Sequence, residues 1–137
     1  MLEPTQPREA MLHIVETDKP LNQACVDLQS AVTEHKFGVM TVHDLKQTMA
    51  KKGVCFEREC RIFEVCNPQQ AKRVLEQKME ISTALPCRIS VYEENGKTCI
   101  ATIRPTAMLD MYGGMGLQAV AKEVEEVIFA IMTEAAG

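Results

Sequence analysis

The 137-residue sequence contains no tryptophan, only two tyrosines and no excess of positive charge, since its formal net charge is -4. Nucleic-acid-binding proteins need a basic surface to neutralise phosphates, and single-strand binders add aromatic side chains on which bases stack. Because this composition supplies neither feature, we predict that the chain does not bind nucleic acid.

Long apolar runs are also missing. No window approaches the ~18 consecutive apolar residues of a membrane-spanning helix. The start of the chain, MLEPTQPREA, lacks the charged residues followed by an apolar run that are typical of a secretory signal. We therefore expect a cytoplasmic protein with neither a membrane span nor an export signal.

Six cysteines are present, but no two of them form a CxxC pair. Six cysteines in a small secreted protein would indicate disulfides, whereas without an export signal we expect reduced thiols packed as small hydrophobic groups. The spacing of Cys55, Cys60 and Cys66 matches no common zinc template.

Length and composition indicate one domain. A chain of this size with 46% hydrophobic residues can form a single core, which we place in residues 9–137. Residues 1–8 contain two prolines and no periodicity, so we predict a flexible N-terminal arm.

The segment from residue 60 to residue 105 has the clearest pattern. Residues 61–66 favour a strand, and Asn67-Pro68 then supplies a capping side chain and a first-turn proline for an amphipathic helix. Further on, Asn95-Gly96 provides the two positive-φ positions of a tight hairpin turn between two strands. Pro105 ends the second of these strands, because proline has no amide proton.

Two long helices are predicted from apolar stripes at helical spacing. We expect Asp18 to cap the first helix and Gly38 to take the left-handed conformation at its end. Its stripe consists of Leu21, Ala24, Cys25, Leu28, Ala31, Val32 and His35. The last helix covers residues 117–134, and its stripe consists of Val120, Ala121, Val124, Val127, Ile128, Ile131 and Met132.

Several short motifs occur along the chain in a characteristic order. They are Phe37-Gly38-Val39, Asp44-Leu45-Lys46, Arg61-Ile62, Cys66-Asn67-Pro68, Leu85-Pro86-Cys87 and the hairpin from Val91-Tyr92-Glu93 to Ala101–Pro105. Over residues 9–135 this pattern resembles the family known as domain of unknown function 302. The resemblance implies a fold like that of the TATA-binding protein, often paired as a dimer, and it implies no established activity.

The fold class that we predict is therefore α+β, in the order strand-helix-four strands-helix. An antiparallel sheet of about five strands carries the two long helices on one face, and short helices are inserted between the strands.

The end of the sheet that contains Cys66 and Cys87 is the candidate site. Consecutive antiparallel strands would bring these two residues and Pro105 together. The helix that begins at Pro68 points its amide groups at the same end, and its dipole would lower the pKa of a nearby cysteine. The candidate thiol or ligand site consists of Cys66, Asn67, Cys87, Met108, Met111 and Met115.

Three interpretations of this site stay open. Structural packing is favoured, because Cys87 has the strand parity of Ile89 and Val91 and methionines often fill core gaps. Alternatively, soft sulfur ligands suit copper(I), with zinc as a second candidate, or a thiol-redox step. The third interpretation is a small apolar ligand beneath the methionine segment.

No catalytic residue is identified. His43 and Cys60 could in principle form a base and a nucleophile near the opposite end of the sheet, but no third orienting residue is evident.

The function predicted from these observations is a non-enzymatic binding or assembly module that acts as a homodimer. Its working surface would be the edge with Cys66, Cys87 and Met108 to Met115, or the open sheet edge. The alternative is a thiol-dependent redox or soft-metal-binding protein that uses Cys66 and Cys87. The expected partners are a second copy of the chain, a small apolar ligand or another protein.

Overall fold

Five strands form one sheet in the spatial order β1-β5-β4-β3-β2, and every neighbouring pair is antiparallel. The strands are β1 (Leu12–Thr17), β2 (Gly38–Asp44), β3 (Cys60–Cys66), β4 (Cys87–Glu94) and β5 (Lys97–Ile103). The last four form a meander, and β1 pairs with β5 at the far edge. In the computed structural model residues 10–113 and 115–137 are described, with only the backbone of Met115; the predicted arm over residues 1–8 lies outside them.

Two long helices lie on one face of this sheet and cover most of it, and shorter helices connect the strands. The helices are α1 (Leu21–Glu34), α2 (Leu45–Lys51), α3 (Pro68–Gln77), α4 (Pro105–Asp110) and α5 (Met115–Ala136), with a 3₁₀ helix at Met79–Ala84. α1 and α5 pack against each other and against the sheet. The α+β fold and its element order are thus confirmed. Within the described residues, no helix combines the length and apolar character needed to cross a membrane.

The core lies between the two long helices and the sheet. Every stripe residue of α1 from Leu21 to Val32 is buried, and so are all the predicted stripe residues of α5 except the half-buried Val127. From the sheet, Ile89, Val91 and Ile100 fill the facing positions with no exposed surface. The helical periodicity therefore identified the core faces correctly.

Two local predictions are confirmed by backbone geometry. The side chain of Asn67 accepts hydrogen bonds from the amides of Gln69 and Gln70 at 3.0 and 3.1 Å, which caps α3. Asn95 and Gly96 both have positive φ, 53° and 78°, as the tight turn between β4 and β5 requires.

Two helix-end predictions for α1 are wrong. The helix begins at Leu21, after Pro20, and Asp18 instead forms an ion pair with Lys97 at 2.6 Å, whose hydrogen bond lowers the pKa of Asp18. At the other end Lys36, with φ of 67°, takes the left-handed conformation, because the chain must turn early enough for Phe37 to enter the core. Gly38 is already the first residue of β2.

Strand β2 is an edge strand with an irregular ladder. Its pairing with β3 shifts register between Val39 and Thr41, as expected for a β-bulge. Met40 at the shift is 62% exposed. The bulge interrupts the row of backbone groups that an edge presents to other chains.

Candidate functional site

The two corners of the chain that contain Cys66 and Cys87 lie next to each other. Val65 pairs with Cys87 across the β3-β4 ladder, so Cys66 follows directly. Cys66, Asn67, Cys87, Pro105 and Met108 all line one small pocket with a cavity volume of about 40 Å³. The meander thus produces the predicted juxtaposition, and the role of these residues stays a prediction.

The pocket is apolar because hydrophobic core residues form most of its wall. Its further lining includes Phe37, Val65, Val74, Leu85, Leu109 and Val124. The N-terminus of α3 borders the pocket, but Asn67 already accepts hydrogen bonds from two of its first amides. Those amides are therefore engaged within the protein.

The thiol pKa values change in the direction opposite to the prediction. Burial raises the pKa of Cys66, and burial followed by the nearby Cys66 raises the pKa of Cys87 to about 11. The predicted lowering of the cysteine pKa by the α3 dipole is wrong. Moving a thiolate out of water costs more free energy than the dipole of an already capped helix contributes. Both cysteines are thus protonated thiols at neutral pH.

Strand alternation directs Cys87 towards the core. Cys87 has the parity of the buried Ile89 and packs against the core. Cys66 is the last residue of β3, where the chain leaves the sheet, and it lines the same pocket as Cys87.

The methionine segment covers the pocket only in part. Met108 lines it, but Met111 is 72% exposed and is not among the lining residues, so the predicted cover of three thioethers is wrong. The reason is that α4 ends at Asp110, and Met111 lies in the turn that leaves the helix. The side chain of Met115 lies outside the described residues.

No cluster of three or more histidine, cysteine, aspartate or glutamate side chains that could hold a metal ion occurs in residues 10–113 and 115–137. The His43 and Cys60 pair also does not form. His43 is opposite Ile62 and contacts Glu64 at 3.4 Å, while the thiol of Cys60 is 3.8 Å from the Ser90 hydroxyl.

A second cavity, of about 170 Å³, adjoins the first and was not predicted from the sequence. Its lining contains both polar and apolar residues: Thr83, Ala84, Leu85, Pro86, Cys87, Arg88, Thr102, Ile103 and Met108. The 3₁₀ helix and the end of β5 together create it. Sequence patterns give no signal for it, because residues 82–86 have neither helical spacing nor strand alternation.

The sheet face opposite the helices is the second surface missed from the sequence. Its apolar or small residues follow from the register and the alternation of the strands, and they are Leu12, Ile14, Ile62, Tyr92, Cys99, Ala101 and Ile103. Cys99 and Ala101 are only 3% and 9% exposed. The signal was present in β5, where the outward residues Cys99, Ala101 and Ile103 are apolar although the core-facing parity already contains Ile100. An outward row without polar residues is not typical of a solvated sheet face.

The comparisons with known proteins agree with this fold. A family model described as "Domain of unknown function DUF302" matches residues 13–135. The crystal structure of the uncharacterized conserved protein DUF302 from Bacillus stearothermophilus is similar with a TM-score of 0.86 and 30% sequence identity, over 90% of this chain and 97% of that chain. No curated protein is significantly similar to the chain. The match over nearly the whole domain shows that this chain belongs to the DUF302 family.

Proposed function

We propose that this domain is a non-enzymatic assembly module that acts as a homodimer, and that its interface is the sheet face opposite the helices. The observation that carries the proposal is the composition of this face. In an antiparallel sheet with one solvated face, the outward residues are usually polar. Here two adjacent rows of outward residues cross the strands, and six of their nine members are apolar, aromatic or thiol side chains. The rows are Ile14, Ala101, Ser90, Ile62 and His43, then Glu16, Cys99, Tyr92 and Cys60.

The size of the face suits a modest dimer interface. Five strands spaced ~4.8 Å apart, with about six residues of ~3.3 Å each, cover on the order of 500 Å² per copy. Two copies together would bury about 1,000 Å², the lower limit for a specific interface. A second copy is favoured over other proteins, because a two-fold contact uses the same patch twice.

Positively and negatively charged residues both border this apolar centre. Arg88 lies near one end of the face, and Glu16 and Glu94 lie towards the other. An apolar centre with a charged rim is the usual composition of protein interfaces. Because both signs are present on one copy, two copies related by a two-fold axis can pair opposite charges.

The oligomeric state tests this proposal. In light scattering coupled to gel filtration at micromolar concentration, the wild-type protein should have twice the chain mass of 15.3 kDa. Ile14→Lys should produce monomers, because it places an ammonium group in the apolar centre. The matched control is Val26→Lys, at a position on α1 that is 59% exposed, and it should remain dimeric. A monomeric wild-type protein, or a dimeric Ile14→Lys variant, would contradict the proposal.

The thiol alternative has one specific observation in its favour, the position of Cys66, Cys87 and Met108 on one pocket. The raised thiol pKa values oppose it. A redox or soft-metal site requires accessible thiolates.

Thiol mapping separates the two functions. Native protein is treated with N-ethylmaleimide at neutral pH, and the adducts are located by mass spectrometry. We expect the exposed Cys55 to react first and Cys87 to react only after denaturation. Rapid native labelling of both Cys66 and Cys87 would support the thiol alternative, and so would stoichiometric copper(I) binding that is lost in Cys87→Ala.

A further inference from the structure

The charge on the outward side of β4 changes sign from one end of the strand to the other. Because Ile89 and Val91 point into the core, the alternate residues point outward, and in chain order they are Arg88, Ser90, Tyr92 and Glu94. β4 is the central strand of the sheet, so these residues lie on the midline of the face opposite the helices. Arg88 and Glu94 are separated by roughly 20 Å along the strand, which is too far for an ion pair within one copy.

A hollow of about 400 Å³ lies at the Glu94 end of this face. The residues that line this outer hollow are Ile14, Glu16, Tyr92, Glu94 and Cys99. A guanidinium group stacks on aromatic rings and pairs with carboxylates, so the lining is complementary to an arginine side chain. Lys97 is opposite Glu94 in the β4-β5 ladder, but it forms its ion pair with Asp18 at 2.6 Å, so its charge is already matched.

Arg88 and Glu94 both have capacity for a further contact. Arg88 is 67% exposed and contacts Glu64 through its Nε at 3.3 Å, whereas a guanidinium has five N–H donors in all. Glu94 is held by Arg58 through Oε1 at 3.3 Å, and a carboxylate has a second acceptor oxygen. Each side chain can therefore form an additional ion pair with a second copy.

The change of sign distinguishes between two arrangements of facing sheets. Two copies with aligned strands can be related by a two-fold axis that runs along β4 or by one that crosses it. An axis along β4 would place Arg88 on Arg88 and Glu94 on Glu94 of the second copy, and like charges in contact oppose association. An axis that crosses β4 between Ser90 and Tyr92 instead places Arg88 of each copy opposite Glu94 of the other.

The crossing axis also matches the apolar centre of the face. On β5 it places Ala101 against Cys99 of the second copy. On β3 it places Ile62 against Cys60 of the second copy. Small and apolar side chains then meet at the centre, and the charged pairs lie towards the two ends, as is usual in protein interfaces.

We propose that the two copies pack with their β4 strands antiparallel, so that Arg88 of each copy enters the outer hollow of the other and pairs with Glu94. This inference rests on the homodimer proposed above and adds its orientation and its partner residues. An arginine side chain is long enough to cross much of the ~10 Å between facing sheets. The two symmetric ion pairs fix the orientation, and the apolar centre supplies most of the affinity.

Charge reversal with compensation tests this orientation. The dimer dissociation constant is measured by analytical ultracentrifugation of a dilution series. Arg88→Glu and Glu94→Arg should each weaken the dimer at least about tenfold, because each change brings like charges together twice per dimer. The double variant Arg88→Glu/Glu94→Arg restores opposite charges and should return to within about threefold of the wild-type value. Glu126→Arg, at an exposed position on α5, is the matched control and should dimerise normally.

The double variant is decisive because its two positions are too far apart to compensate within one copy, so a rescue must occur between copies. Single variants that dimerise as well as Glu126→Arg, or a double variant as weak as the single ones, would overturn the proposed orientation. Either result would leave the homodimer itself standing, since the wild-type mass and Ile14→Lys test it separately. A monomeric wild-type protein would contradict the homodimer and this inference with it.

Discussion

The imidazole ring of His13 stacks on the phenyl ring of Phe129, with the ring centroids 3.7 Å apart and an angle of 16° between the planes. The guanidinium carbon of Arg104 lies 5.2 Å from the centroid of the same phenyl ring. Phe129 on α5 thus contacts both β1 and the residue that precedes α4. This contact fastens the edge strand and the end of β5 to the longest helix.

The stacked histidine should make stability depend on pH. Burial, and after it the charge of Arg104, lowers the pKa of His13, while Glu125 acts in the opposite direction. The folded state therefore binds fewer protons than the unfolded state below the ordinary value of 6.5, so the free energy of unfolding decreases as pH falls through that value towards the folded pKa. Urea unfolding at pH 8 and pH 5 measures this change.

The variant His13→Asn assigns the effect. In this variant the free energy of unfolding should depend less on pH below 6.5, which is the range where the wild-type protein loses stability. His43→Asn, on the opposite face of the sheet, should retain the wild-type slope. If the free energy of unfolding changed with pH in the same way for His13→Asn and the wild-type protein, other groups would cause the loss of stability at low pH.

Lys19 secures the C-terminal end of α5. Its ammonium group donates to the carbonyl of Ala135 at 3.0 Å and pairs with Asp27 at 2.6 Å. Helix C-termini carry unpaired carbonyls and partial negative charge, so a cation stabilises them. Lys19→Met should lower the free energy of unfolding by about 1 kcal/mol, measured by urea denaturation. The exposed Lys122 in the middle of α5 gives the control Lys122→Met, for which we expect a negligible change.

The α3 cap should contribute measurable stability. Asn67→Ala removes the acceptor for two amides and should cost about 1 kcal/mol in chemical denaturation. Asn67→Asp keeps an acceptor oxygen and should retain most of the wild-type value. If both variants lost the same free energy of unfolding, the loss would come from removal of the Asn67 side-chain amide group and not from removal of the cap.

The α1 stripe predicts a strong contrast between neighbouring positions. Leu28 is fully buried, so Leu28→Ala should lower the free energy of unfolding by about 3 kcal/mol through lost transfer energy and a residual cavity. Val26 is on the exposed side of the same helix, and Val26→Ala should change it by less than about 0.5 kcal/mol. Thermal or urea unfolding of both variants measures the difference, and equal losses would contradict the assigned core face.

Much of the fold could be predicted because local sequence encodes it. The cap at Asn67, the turn at Asn95-Gly96 and the apolar spacing of α1 each act over a few residues. The end of α1 was misjudged, because its left-handed residue is Lys36 and not the nearby glycine. There the demand to bury Phe37 overrides the preference for glycine.

The site was less predictable because its properties depend on packing. The meeting of Cys66 and Cys87 follows from strand order, which the pattern supplied. Their raised pKa values follow from burial, which only the packed structure reveals. The position of Met111 depends on where α4 ends, and the apolar outer face depends on where the helices do not pack.

The irregular pairing at Val39 and Thr41 has a consequence for how copies of the protein can associate. A straight outer strand can recruit one molecule after another into a fibre, since each addition leaves a new edge. A kinked outer strand ends such growth in the hydrogen-bonding direction. In the proposed dimer, association through the broad surface of the sheet would stop at two molecules, because each would hide the other's patch, and the protein would be protected against polymerisation.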